Sequence, residues 1–403
     1  MSTCSIAEPY DGPLCGVRVV DFSQLIAGPS AASMLSDLGA DVIKVEGLDG
    51  ELSRSLTDVK GEVPTFVAYN RGKRSIALNL ADPAGIAVAK NLILRSDVVI
   101  EGFRPGVMER LGLGAEECTR SNEHLIYASL SAFGSEDGRP GIDAVIQAAS
   151  GVMAVTGAPD GDPTKVGFQV VDGATGLALS QAILAALFHR TKTGKGSVLE
   201  VSLFSVATYL QSPFILQSSM QGAQPKRQGN TAGQFGYPTD LFATGCGGFI
   251  MLAAYLPKQW VSLCGAIGLP DLAFDERFKD GRSRIENQTE LRKILEQVFA
   301  RQSKIEWEMQ LSSAGVICAA VRDYTEITTS PALREAGRLA TVQNAHGETW
   351  WVPSIPLKSS SWSEHCPGAH PDIGEHTREI LMSLGMSDSE METLVAGGVI
   401  RNP

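Results

Sequence analysis

Asp172 is the residue with the clearest chemical promise in this chain of 403 residues. It stands in VVDGATG (170–176), at the mouth of a long apolar helical pattern. A carboxylate there can cap the helix, and taken alone the setting reads that way. It can also act as a nucleophile, because a helix dipole and nearby N–H donors keep such a group ionised. Gly173 and Gly176 leave room for a ligand to approach the backbone.

Basic residues gather in NRGKR (70–74) and in FRPG (103–106) with Arg110, beside expected strand ends. Ligands of α/β folds bind at such ends. Arginine can fork a phosphate and lysine can serve as a point charge, with ordinary surface charge the competing reading for each residue. Other chemistries lack their patterns. His124, His189, His346, His365, His370 and His376 form no H-E-x-x-H and no facial-triad spacing, so no metal site is expected. There is no G-x-S-x-G. The first strand–helix turn, SQLIAGPSAA, lacks G-x-G-x-x-G, although Glu46 could hold a ribose. TGKGS (193–197) resembles a P-loop fragment, but His189 stands where its first glycine belongs.

These residues need a scaffold. Strand patterns fall at 17–21, 41–46, 75–80, 97–101 and 124–129, with helices at 31–38 and from Asp82-Pro83 onward. Strands separated by helices imply βαβ units and a parallel sheet. A strong helix covers 176–190 and an alternating strand follows at 197–203. Residues 213–236 are rich in Gln, Ser and Gly and read as a linker. A hairpin over 240–254 turns at GCGG (245–248), and helices run to about 315. From about 341 the chain reads as irregular, closing with helices at 375–384 and 388–396. The expected fold is α/β. A Rossmann-like large domain comes from residues 1–212 and 331–403, and a smaller α+β domain from 237–330.

Composition narrows the class. Apolar residues make up 43% and aromatics 6%, which suits helix-on-sheet packing. A net charge of −11 disfavours nucleic acid and anionic membrane as partners. Seven scattered cysteines without C-x-x-C point to a reducing, cytoplasmic location. The start of the chain has no signal-peptide pattern, and no apolar run reaches transmembrane length.

Together the fragments resemble the class III CoA-transferases, the family of formyl-CoA transferase and carnitine CoA-transferase. They include VVDFS (19–23), LGADVIKVE (38–46), NRGKRS (70–75), FRPGV (103–107), GID (141–143) with QAASG (147–151), Asp172 and GEHTREIL (374–381). The resemblance implies that Asp172 attacks an acyl-CoA thioester, forming a mixed anhydride and then an aspartyl-CoA thioester. Asp143 would border and orient the site. Backbone N–H groups near Asp172 would stabilise the oxyanions.

The family's CoA contacts map onto Ile26, Ala27, Leu78, Asn79, Gly102, Phe103, Arg104 and Arg110. Two of its basic contacts fall on Gly47 and Ala81, which shifts the phosphate grip to Arg104, Arg110 and also Arg71 or Lys73. The stretch 229–236 stands where formyl-CoA transferase has its glycine-rich lid. CoA is expected as a substrate, with no permanently bound cofactor. The partners implied are acyl-CoA, a small carboxylic acid and a second copy of the chain in an interlocked homodimer. Two alternatives stand behind this reading. One is a 2-methylacyl-CoA racemase, although RPGID (139–143) lacks that enzyme's histidine. The more remote one is a nucleotide-binding oxidoreductase.

Overall fold

Short β-branched runs alternate with apolar-striped helices through the first half of the chain, and they pair as that alternation demands. In the computed structural model, residues 12–231, 236–343, 347–363 and 368–401 are described. Cys4, Cys366, His346, His365 and part of the 229–236 stretch lie outside them. The first elements are β1 (Arg18–Asp21), α1 (Ala27–Asp37), β2 (Asp41–Glu46), α2 (Pro64–Asn70), β3 (Arg74–Ala77), α3 (Pro83–Leu94) and β4 (Val98–Glu101). Then come α4 (Val107–Arg110), α5 (Ala115–Ser121), β5 (Ile126–Ser131), α6 (Asp143–Ala149), α7 (Val152–Val155), α8 (Val170–Thr193) and β6 (Ser197–Ser202). Helices α9 (Leu203–Leu210) and α10 (Ser212–Gln221) follow.

Among the described residues, β1 to β6 form one parallel sheet in the order β3-β2-β1-β4-β5-β6. The order reverses between β1 and β4, the switch point where such sheets bind ligands. Alternate residues serve opposite faces. Val19, Val42 and Val98 pack with Leu35 and Ile183, while Val20, Ile43 and Val99 pack with Leu92 and Ile380. Helix α3 starts as its sequence requires, with the Asp82 side chain accepting from the Ala84 N–H and Pro83 at the first position.

The chain divides into two compact units, Met1–Val152 with Val166–Gln217 and Pro331–Pro403, and Met153–Lys165 with Ser218–Ser330. Residues 153–165, assigned by sequence to the large domain, thus group with the second unit. That unit holds the antiparallel sheet of β7 (Thr239–Ala243), β8 (Phe249–Ala253) and β9 (Ile317–Ala320). Its helices are α11 (Pro257–Ala266), α12 (Gly281–Glu286), α13 (Gln288–Phe299), α14 (Lys304–Ser313) and α15 (Tyr324–Thr329), and Trp260, Phe299 and Trp307 from α11, α13 and α14 share one buried core. The chain closes in the first unit with α16 (Pro331–Glu335), β10 (Leu339–Gln343), β11 (Thr349–Pro353), α17 (Thr377–Ser383) and α18 (Asp388–Ala396).

Several element boundaries differ from expectation. Helix α1 begins at Ala27 rather than 31, because Pro29 sits in the first turn, where its missing N–H costs nothing. Helix α10 occupies part of the expected linker. Ile215 and Leu216 carry it, and no glycine interrupts it before Gly222 at φ 62°. The antiparallel pair β10–β11 replaces irregular chain, with Val342 and Val352 packed on Val67. Helix α8 starts at Val170, not 176, and its 24 residues make it long and apolar enough to cross a membrane. Here it lies on the sheet, with Val171, Leu179 and Ile183 buried.

The end of β1 holds a buried charge cluster. Lys73 Nζ donates to Asp21 Oδ2 at 2.9 Å, to the Asn70 side chain at 2.9 Å and to the Pro29 carbonyl at 3.0 Å. Lys44 donates to the Ser23 carbonyl and lies 3.7 Å from Asp21. Burial alone would push the Asp21 carboxyl up, but the two ammonium groups and the Ser23 hydroxyl bring it down to about 2. The cluster ties down both ends of the β1–α1 turn. Asp21→Ala would leave two buried cations without their anion, and a loss of about 3–5 kcal/mol is expected. Urea unfolding at pH 7 measures it. A loss below about 1 kcal/mol would mean that the cluster is not what holds the turn.

Candidate active site

Asp172 is the third residue of α8, inside the first turn rather than at the cap. The capping role expected of it belongs to Asp143, the first residue of α6. One oxygen of Asp143 accepts the N–H of Val171 at 2.8 Å and that of Asp172 at 3.1 Å. Its other oxygen accepts the side-chain amide of Gln147, whose own carbonyl accepts the Val166 N–H at 2.9 Å. Asp143 and Gln147 are both buried. Gln147 is a supporting residue that its QAASG motif does not announce. Its signal was the four-residue spacing from Asp143 in DAVIQ, which puts the two side chains on one helical face.

This arrangement narrows where oxyanion donors could come from. Val170 N–H donates to the Phe168 carbonyl and Gly173 N–H to the Gln169 carbonyl. With Val171 and Asp172 donating to Asp143, the N–H groups of residues 170–173 are all engaged. The start of α8 therefore offers no free oxyanion donors.

The carboxylate of Asp172 itself accepts no hydrogen bond among the described residues. Burial pushes it up to about 7, and the charge of Asp143 adds to the rise. The helix dipole opposes this but is worth only about 0.3–1 kcal/mol, less than one unit of pKa. Desolvation outweighs the dipole, and the Asp172 carboxyl stands above the ordinary carboxylate range. Tyr69, at the end of α2, feels the same charge. Burial and then Asp172 push its phenol above the ordinary value.

Helix α8 approaches α1 closely at Gly176. A Cβ there would lie 2.0 Å from Ser30 Oγ and 3.0 Å from the Ala27 carbonyl. Only glycine lets the two helix starts, and so Asp172 and the Ile26–Ala27 turn, come together. That turn is strained, since Leu25 has φ 65°, rare for a bulky side chain. The Glu51 carboxylate accepts its N–H at 3.2 Å.

At the C-terminal ends of β1 to β4 lies a cleft of about 380 Å³, lined among others by Phe22, Glu46, Leu48, Leu78, Asn79 and Phe103. Leu78, Asn79 and Phe103, named from sequence, thus meet in one place. Strand β3 ends at Ala77 rather than 80 because Asn79 and Leu80 leave the sheet to line this cleft. Gly102 is exposed beside Phe103, whereas Ile26 and Ala27 are buried at the start of α1.

The basic candidates separate cleanly. Arg104 and Arg110 are exposed and make no ion pair among the described residues. Arg71 is buried, donating to Asp37 at 2.7 Å and Ser33 at 3.1 Å. Lys73 is locked in the Asp21 cluster. Neither can grip a phosphate, because their charges are already spent on buried carboxylates. Glu46, weighed as a ribose ligand, is forked by Arg54 at 2.7 and 2.8 Å and accepts the Ser75 hydroxyl at 2.7 Å. Among the described residues no group of three or more His, Cys, Asp or Glu side chains is placed to hold a metal ion.

Residues 14–377 match CoA-transferase family III. A probable fatty acyl-CoA transferase of Mycobacterium tuberculosis is 37% identical over 398 residues, 94% of this chain and 99% of the relative. The succinyl-CoA:glutarate CoA-transferase of Mus musculus is 32% identical over 395 residues, 96% of this chain and 90% of the relative. The crystal structure of a CAIB/BAIF family protein from Brucella suis superposes with a TM-score of 0.83 at 31% identity, covering 93% of this chain and 99% of the other.

A carboxyl raised from 3.8 to about 7 binds its proton more tightly in the folded state. Its contribution to stability is present at low pH and is lost as pH rises towards 7. Asp172→Asn removes that loss. The variant should gain about 2 kcal/mol over the parent at pH 8, allowing for partial exposure, and much less at pH 4.5. Urea unfolding at the two pH values measures the difference, and an equal difference at both would exclude a raised Asp172.

Proposed function

The chain belongs to CoA-transferase family III and is a CoA-transferase, and on that footing we propose that Asp172 is the nucleophile through which CoA moves from one acid to another. The observation that carries this reading is the half-buried Asp172 carboxylate, poised near neutral pH and without a hydrogen-bond partner among the described residues. A poorly solvated carboxylate is a strong nucleophile once ionised. Asp172 attacks the thioester carbonyl, the C–S bond breaks, and CoA thiolate leaves a mixed anhydride behind. The thiolate attacks the aspartyl carbonyl of the anhydride, releasing the donor acid and forming an aspartyl-CoA thioester. The acceptor carboxylate attacks that thioester and expels the thiolate again. The thiolate then takes the acceptor acyl group, and Asp172 is regenerated.

Asp143 orients the nucleophile by fixing the first turn of α8, and Gln147 holds Asp143 in place. CoA lies in the cleft at the sheet's C-terminal edge, against Leu78, Asn79, Gly102 and Phe103. The Ile26–Ala27 turn shapes it from behind, and Arg104 and Arg110 meet the phosphates. The names of the relatives favour a succinyl-CoA donor and a short dicarboxylic acceptor. The enzyme acts as a homodimer, a reading supported by large exposed apolar side chains such as Leu177, Phe188, Tyr209 and Leu216 on α8, α9 and α10. It works in the cytoplasm. Cys15, Cys118, Cys246, Cys264 and Cys318 are free thiols, which suits a reducing compartment.

Asp172→Ala should lower transfer from succinyl-CoA by at least about 10³-fold. Hydroxylamine added during turnover should leave a hydroxamate on residue 172. For the parent enzyme, kcat/KM should rise about tenfold per pH unit below 7 and level off above it, because only the ionised carboxylate attacks. Full activity in Asp172→Ala would end the proposal.

A further inference from the structure

The C-terminal tail reaches the same cleft from the open edge of the sheet. Helix α18 ends in a glycine turn, with Gly398 at φ 66° and the Val399 N–H bonded to the Leu394 carbonyl at 2.9 Å. This reverses the chain and lays Val399 to Arg401 against the end of β3. Asn79 N–H donates to the Val399 carbonyl at 2.8 Å, and Leu78 and Ile400 form an antiparallel bridge. Val399 and Ile400 are buried with Leu78 in one core cluster. The tail is thus part of the structure that sets two cleft residues in place.

Its last described residue, Arg401, lines a separate groove with Thr377, Arg378 and Met391 and reaches the cleft through one of its residues. Arg401 Nη1 donates to the carbonyl of Leu48 at 3.1 Å, and Leu48 lines the cleft. The side chain is exposed and makes no ion pair among the described residues, so its other N–H groups are available. The charged residues that line the cleft, Glu46, Asp49 and Glu51, are all acidic. Only Glu46 has an arginine, Arg54, spent on it at this rim. A ligand carrying several phosphates is repelled by such a lining unless cations meet it. Arg104 and Arg110 follow β4 on one side. Arg401 is an exposed cation tied to Leu48 on the β2–β3 side.

Building on CoA binding in this cleft, we propose that Arg401 is a phosphate-binding residue for the nucleotide end of CoA, delivered by a C-terminal strap. The planar guanidinium suits a phosphate, and its bond to Leu48 orients it in advance. Removing it affects the phosphates and leaves the pantetheine arm untouched.

Calorimetric titration of the full chain with CoA and with pantetheine separates these contributions. The Kd for CoA should weaken about tenfold in Arg401→Ala and further in Arg401→Glu, while pantetheine binding stays the same. Equal CoA affinity in all three proteins would overturn the proposal. So would equal losses for CoA and pantetheine, which would mean that the tail only packs the sheet edge. A parent protein that binds CoA no better than pantetheine would instead sink the placement of CoA in this cleft, and the role of Arg401 with it.

Discussion

Asp143 takes two N–H groups from the first turn of α8 on one oxygen and the Gln147 amide on the other. Much of the site hangs on that contact. It satisfies donors that would otherwise be left open at a helix start, and it fixes where the Asp172 side chain leaves the backbone. It also puts a second carboxylate near the first. Gly176, one helical turn onward, then lets α8 settle against Ala27 and Ser30. Asp172 and the Ile26–Ala27 turn are thereby held by one packing contact and one cap.

Two aspartates in this unit show how partners decide the fate of a buried charge. Both are desolvated. Asp21 has two lysines and a hydroxyl and is held at about 2, whereas Asp172 has only a like charge nearby and rises to about 7. The first serves architecture, since its cluster pins the carbonyls of Ser23 and Pro29. The second is costly to the fold and useful to chemistry. A carboxylate that loses little hydration on attack needs less activation, and in the mechanism proposed here the thiolate it expels needs no strong acid.

Local pattern carried much of the fold. Strand 41–46 and helix 388–396 fall where periodicity and capping residues put them, and Asp82-Pro83 opens its helix as expected. Long-range facts were less legible. Asp172 and Asp143 were named, but which of them caps α8 depends on a contact across 29 positions. Arg71 and Lys73 sit in a basic motif that looks like a phosphate grip. Only the fold reveals Asp37 and Asp21 beneath them. Leu78, Asn79 and Phe103 line one cleft, a meeting that only the fold brings about. The tail residue Arg401 gave no sequence signal, because nothing local ties it to Leu48.

The ionisation of Asp172 can be read directly. With ¹³C-labelled aspartate, the carboxyl resonance assigned by its loss in Asp172→Asn should titrate with a midpoint near 7, and the midpoint should fall when Asp143 is replaced by asparagine. A midpoint near the ordinary value of about 4, unmoved by Asp143→Asn, would contradict the idea that burial and a neighbouring carboxylate poise the nucleophile.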